Sequence, residues 1–209
     1  MVSRMEAPGQ LRAVRSWEEV APARSADADV LEAMLLTAGE LGYTKATVRE
    51  VAARARITQD QFHRRFGSKG ECFAQAYAET TRRLEAQMRG AWRDAVGWRE
   101  GFLAALAELL RFVAQQPITA KAVLLEVRSA RGKAWEVHQQ LVERLIAALE
   151  TAREQPGARV GATRMTAGFV AGAIEESLCL ELAAGRAEGA QLLLNDLSRL
   201  AFLQLFGEE

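Results

Sequence analysis

The stretch "TVREVAARARITQDQFHRRFGSKGE", Thr47 to Glu71, decides how this chain folds. It contains Thr47-x-x-Glu50, Thr58-x-x-Gln61 and Ser68-x-x-Glu71. Each fits a capping box, in which a hydroxyl and the side chain three residues on satisfy backbone donors that a helix start leaves unpaired. One match is common by chance. Three in phase with apolar positions predict three helix starts. Val48, Val51, Ala52 and Ala55 line one face of the first helix, and Phe62 and Phe66 line one face of the second. Gly67 closes that second helix, and Ala55-Arg56-Ile57 forms a tight turn between the two.

With both phenylalanines turned inward at about 100° per residue, the outward surface holds Asp60, Gln61, His63, Arg64 and Arg65. Arginine can bond guanine at two points, glutamine can do so to adenine, and aspartate can accept from cytosine. The helix starts at Thr47, Thr58 and Ser68 offer backbone N–H groups to phosphate. An exposed charged face alone is what any solvated helix shows. Charge distribution tips the balance: the chain has no net charge, yet residues 44–70 hold seven Lys/Arg against two Asp/Glu, a local +5. Two short helices across a tight turn, the second carrying such a face on a basic patch, form a helix-turn-helix.

The rest of the chain reads as all-α. Val30, Leu31, Met34, Leu35, Ala38 and Leu41 form a helical stripe ending at Gly42, with Asp27 or Asp29 as its cap. Longer helices are expected near 68–90, 99–116, 118–130, 133–154, 163–184 and 188–206, broken at glycines and prolines. Residues 1–26 lack a sustained period and read as a flexible arm with a short helix around Trp17. The domains expected are this arm, a DNA-binding head over 27–72 and a larger helical part over 73–209. No apolar run approaches the roughly 18 residues that span a bilayer, and no apolar signal core opens the chain, so a cytoplasmic protein without membrane contact is expected. Cys72 and Cys179 read as two free thiols, with no ligand cluster for a metal.

Residues 30–77, "VLEAMLLTAGELGYTKATVREVAARARITQDQFHRRFGSKGECFAQAY", resemble the DNA-binding domain of the TetR family of transcriptional repressors. The resemblance is carried by Gly42-Tyr43, Thr47-Val48-Arg49-Glu50-Val51-Ala52, Ile57-Thr58, Phe62, Phe66 and Ser68-Lys69, in ungapped register. It implies a homodimer on double-stranded palindromic DNA, released when a small-molecule effector binds the C-terminal part. It also implies that Thr47 and Lys69 hold phosphates. Gln59, Asp60, Gln61, His63 and Arg64 would form the recognition surface, with Arg49, Thr58 and Arg65 beside them. Three positions depart from the family pattern. Arg56 stands where glycine is usual, predicting a turn of altered shape or a cost of about 1 kcal/mol for a left-handed arginine. His63 replaces the usual tyrosine, and Asp60 replaces a small residue.

In the larger part, "TAGFVAGAIEESLCLELAAG" and "AQLLLNDLSRLAFLQLF" are apolar over more than one face. A second apolar face predicts a second subunit, or else a place at the centre of the monomer core, and Gly168, Ala171 and Gly172 would permit close approach. A ligand site is expected from two stripes, Phe102, Leu106, Leu109 and Phe112 on one helix and Trp135 and His138 on another, together with Phe169. His138 could fix the polar end of a ligand in an apolar cavity, or it could be a core histidine with a backbone partner or one at the wet edge of the stripe. Glu175 and Glu176 could face a cationic ligand or an interface edge. No cofactor is expected. His63 and His138 are the chain's two histidines, neither sits in a nucleophile pattern, and the glycines are scattered rather than looped around a phosphate, so enzyme chemistry is not expected. The competing reading is a helical small-molecule or partner-binding protein whose head has degenerated at Arg56, Asp60 and His63.

Overall fold

The computed structural model describes residues 26–207, in which every regular element is helical. The expected arm, with its helix around Trp17, lies outside the described residues but for Ala26. Helix α1 spans Ala26–Leu41 and buries Val30, Leu31, Met34, Leu35 and Ala38 of the predicted stripe, whereas Leu41, its last residue, is exposed. It ends because Gly42 takes φ 86°, where an L side chain is strained, and donates its N–H to the Ala38 carbonyl at 2.9 Å.

Helix α2 is Val48–Arg54 and α3 is Gln59–Arg65. Both begin with the complete capping boxes that the sequence predicts, at Thr47/Glu50 and Thr58/Gln61. Ser68 starts α4, Lys69–Arg93, with half of a box: its hydroxyl accepts from the Glu71 N–H at 3.1 Å. Phe62 and Phe66 are buried with ring centroids 5.4 Å apart, which fixes α3 on α1 and α2 through one small core.

The turn at Arg56 keeps its left-handed shape, contrary to the altered turn expected from the missing glycine. Arg56 has φ 56°. Its N–H donates to Ala53 O at 3.2 Å, and the Ile57 N–H reaches back to Ala52 O at 2.9 Å. These are the two bonds of a Schellman closure, and together they hold an arginine where glycine is cheapest.

The larger part follows the expected breaks. It contains α5 Gly97–Gln115, α6 Pro117–Lys121, a π-turn Ala122–Glu126, α7 Val127–Ala130, α8 Gly132–Glu150 with a 3-10 turn Thr151–Glu154, α9 Arg164–Ala183, a 3-10 turn Ala187–Leu193 and α10 Leu194–Phe206. Two expected helices prove to be composite. The 118–130 helix contains the π-turn, and the 188–206 helix starts as 3-10. Helix α4 is the spine, packing α1 at one end and α5 and α8 along its length. The expected boundary at residues 72–73 falls inside this continuous helix, so head and body share one buried apolar cluster.

Head and body also touch through α1 and α6. There Gly39, in the last turn of α1, faces backbone: a Cβ at this position would overlap the carbonyl oxygen of Ile118. Glycine is therefore needed for the close approach of two helices, at the expense of about 1 kcal/mol of helix propensity.

Candidate nucleic-acid interface

Around α3, packing and capping sort the side chains before any DNA is considered. Phe62 faces inward and is fully buried, so Gln59, Asp60, His63, Arg64 and Arg65 are left exposed on the opposite surface. Thr47, Arg49 and Thr58 are exposed at the flanking helix starts. These residues, with Lys45, Arg54 and Arg56 near them in the chain, are the basic region seen in the sequence.

Several side chains grouped with this surface are already engaged. The Gln61 side-chain oxygen accepts the Thr58 N–H at 2.8 Å, so its carboxamide is bent back over the helix start with only its NH2 end left for a base. The Thr47 hydroxyl lies 2.8 Å from a Glu50 carboxylate oxygen and accepts the Glu50 N–H at 3.3 Å. The Thr47 N–H, which donates to the same carboxylate oxygen at 2.8 Å, and then the Thr47 hydroxyl hold the Glu50 carboxyl below the ordinary carboxylate value. Arg65 faces Asp27 at 3.7 Å. Arg54 is paired with Glu40 of α1, its Nη1 donating to Oε1 at 3.0 Å.

Lys69 is the largest departure from the role its sequence position implied. Its ammonium donates to the carbonyls of Tyr43 at 2.8 Å and Ala46 at 2.9 Å, and it sits 4.3 Å from the Tyr43 ring centroid. Partial burial lowers its pKa from the usual lysine value. Lys69 thus ties the loop between α1 and α2 to the start of α4, and one N–H is left to reach outward. Sequence spacing could not show this, because the loop and Lys69 are 23 to 26 residues apart.

The order of α2, turn and α3, with α3 exposing a polar face beside a basic loop, is the geometry of a helix-turn-helix. Residues 31–76 match the family model described as "Bacterial regulatory proteins, tetR family". The head is a tetR-family domain. No curated protein matches the chain by sequence. Among solved structures, the fatty acid degradation regulator FadR of Bacillus halodurans superposes with a TM-score of 0.75 at 17% identity, covering 83% of this chain and 96% of that one. FadR of Bacillus subtilis, solved in complex with stearoyl-CoA, gives 0.75 at 17%, covering 87% and 98%. A TetR-like transcriptional regulator from Rhodococcus sp. RHA1 gives 0.64 at 21%, covering 86% and 96%. At these identities the likeness shows that the body shares its fold with these structures and leaves its chemistry open.

The residues expected to bind a ligand fall in separate places in that body. Phe102, Leu106 and Phe112 are buried on α5, where Phe102 stacks on Trp98 at 5.5 Å and meets Phe202 of α10 at 5.7 Å. Leu109 is half-buried on the same helix. Trp135 and His138 stack on each other at 4.9 Å on α8, across the spine from α5. Phe169 is 58% exposed on α9.

His138 is buried in a polar network that the sequence did not reveal. Its Nδ1 lies 2.9 Å from the Tyr77 hydroxyl of α4, and its Nε2 lies 3.6 Å from Oε1 of Glu175 on α9. Arg128 of α7 donates to the same Glu175 oxygen at 3.1 Å and approaches Glu176 at 3.4 Å. With a carboxylate facing Nε2, the neutral ring carries its proton there and accepts the tyrosine O–H at Nδ1. Burial holds the imidazole pKa below its usual value, against the pull of Glu175 and with the help of Arg128. The same burial drives the Tyr77 phenol well above its normal range. Both cysteines are buried, with thiols raised by burial to about 12 for Cys72 and about 11 for Cys179, so neither is a reactive nucleophile.

Proposed function

We propose that the protein is a ligand-responsive transcriptional regulator that represses by binding a palindromic operator as a homodimer. The observation that carries this reading is α3: a capped helix anchored by Phe62, with Gln59, Asp60, His63 and Arg64 exposed as a row on a locally basic surface. Arg64 reads a base edge, and Thr47, Arg49, Thr58 and Arg65 contact the phosphate backbone. Lys69 supports that surface by holding the loop before α2, with one N–H left for phosphate.

The second copy docks on α9. Met165, Phe169, Gly172 and Leu180 recur along one exposed face of that helix, and a Cβ at Gly172 would meet nothing within 4 Å. An isologous contact through this face would place two recognition helices about a two-fold axis, as a palindrome requires. Much of α10 is committed inside the subunit, where Leu197, Ala201, Leu205 and Phe206 are buried. The α9 face therefore supports the interface better than the leucines of the last helix.

The effector acts on the body beside Trp135 and His138, where it takes the place of a present partner of the His138 ring, Tyr77 or Glu175. Because the Bacillus subtilis FadR neighbour was solved with stearoyl-CoA, a long-chain acyl-CoA is the first effector class to test. Binding to the DNA flanking its own coding region, measured by gel shift across a salt series, tests the reading. Preference for a palindrome with a steep loss of affinity in salt is expected. Arg64→Ala should cost about 1–3 kcal/mol at one operator position and relax the preference there. Equal, weak binding to any duplex would instead favour a body-only binding protein with a degenerate head.

A further inference from the structure

The rod formed by α6, the π-turn and α7 is attached to the head at two points. At its start, the Ile118 carbonyl lies against Gly39 of α1. At the end of the π-turn, a Glu126 carboxylate oxygen accepts the Tyr43 N–H at 2.7 Å, across 83 residues of sequence. The rod is attached to the body as well. Cys179 Sγ of α9 lies 3.7 Å from the Leu124 carbonyl, and Arg128 binds Glu175 and Glu176.

Two irregularities lie along the rod, the π-turn within it and Arg131 at its end. A π-turn accommodates one residue more than the α-helical turn it replaces. Immediately beyond α7, Arg131 has φ 52° and ψ −166°, a region that is essentially restricted to glycine. The two can be exchanged for each other. If the π-turn relaxes to α geometry, its surplus residue must move toward one end of the rod. The upstream end is blocked, because Pro117 fixes the first turn and Ile118 is hard against the Gly39 backbone. The surplus therefore moves downstream, where a turn held in strain at Arg131 can absorb it. Such a shift rotates Glu126 by about 100° about the rod axis and takes its carboxylate off Tyr43. Arg128 shifts in the same movement, away from the α9 glutamates.

We propose that this rod is a register switch between head and body, in which Glu126 latches the loop between α1 and α2 while the π-turn persists and releases it when the turn slips to α geometry. The use of the switch in controlling DNA release rests on the regulator reading above. The latch itself does not, and its test needs neither DNA nor effector.

The test is residue-resolved amide hydrogen exchange on the full chain, for wild type, Glu126→Ala, Glu126→Gln and Arg131→Gly. Loss of a charged hydrogen bond in Glu126→Ala should speed exchange of the Tyr43 amide about tenfold or more. Glu126→Gln keeps an acceptor and should restore most of the protection. Arg131→Gly removes the strain that favours slippage, and should slow Tyr43 exchange about fivefold or more although it lies far from that amide. Val30 and Met34, in the buried face of α1, should be unaffected in all three. An unchanged Tyr43 rate in Glu126→Ala overturns the latch. An unchanged rate in Arg131→Gly overturns its coupling to the strained turn. Equal acceleration at Tyr43, Val30 and Met34 also overturns the proposal, because Glu126 would then support the fold of the head rather than its attachment. Failure to bind DNA would sink the regulator reading and leave these exchange results standing.

Discussion

The head and the body solve the problem of placing polar groups in opposite ways. In the head, the helix starts are set by side chains that pair with backbone three residues away, Thr47 with Glu50, Thr58 with Gln61 and Ser68 with Glu71, while Arg54, Arg65 and Lys69 tie its elements together. In the body, they pair with side chains on other helices: Glu85 with Arg144, Tyr77 with His138, Arg128 with Glu175. Local pairs fix where helices begin and leave Gln59, Asp60, His63 and Arg64 of α3 exposed to solvent. Distant pairs fix how helices sit on one another, and a change in any one of them is felt by at least two elements. A surface that meets a varied partner suits the first arrangement, and a body that transmits a change suits the second.

The contact that joins the two regions should show the largest effect. Gly39→Ala gains about 1 kcal/mol of helix propensity. It also forces a methyl group into the Ile118 carbonyl, which belongs to backbone and cannot swing aside. Overpacking of this kind costs about 3 kcal/mol, so a net destabilisation of about 2 kcal/mol is expected in urea unfolding. If Gly39→Ala is neutral or stabilising, head and body are not joined at this point and the comparison loses its hinge.

The same division explains what could be read in the sequence. Helix starts in the head depend on residues three apart, so Thr47, Thr58 and Ser68 announced them, and the 3.6-residue stripe of Val30, Met34 and Ala38 announced α1. Helix breaks in the body depend on glycine and proline, and these too were visible. Gly39 gave no signal, because a glycine inside a helical pattern looks like any small residue until its neighbour across 79 positions is known. The π-turn was hidden for a related reason: "AVLLE" is as good an α-helix as the residues on either side. The family resemblance implies a phosphate-holding role for Lys69, whose carbonyl partners lie in a distant loop, and Gln61 stands on the outward face although the capping box legible at Thr58 engages its side chain. His138 stands out in the sequence as polar on an apolar stripe, but its partners Tyr77 and Glu175 lie on other helices, where no sequence spacing shows them.

The buried network gives a prediction of intermediate size. His138 has a folded pKa below its unfolded value of about 6.5, so between the two the unfolded chain binds more protons. The sign follows: stability is at its full value above about pH 6.5 and falls as pH drops toward the folded pKa, below which the loss is complete. The groups facing the ring are the Tyr77 hydroxyl, the Glu175 carboxylate and, beyond it, the Arg128 guanidinium. His138→Gln removes the titration, so the difference in unfolding free energy between wild type and variant should shrink as pH falls from 7.5 to 5.5. A difference that does not change with pH would mean that the ring is not held neutral, and the body would lose its most distinctive buried group.

The smallest effect tests the head where it departs from its relatives. Arg56 occupies a left-handed position closed by two backbone bonds that any residue can make, so the turn has no use for its side chain. Arg56→Gly should stabilise the protein by up to about 1 kcal/mol, less what glycine adds to the entropy of the unfolded chain. The side chain is exposed in the basic region, so the same substitution should weaken DNA binding through one lost positive charge, lowering affinity similarly for all sequences and reducing its salt dependence. A gain in stability with a uniform loss of affinity would show that this turn retains arginine for its charge in spite of the backbone. A gain in stability with unchanged DNA binding would leave Arg56 without a role at the interface, and would reduce the basic surface to Arg49, Arg64 and Arg65 around α3.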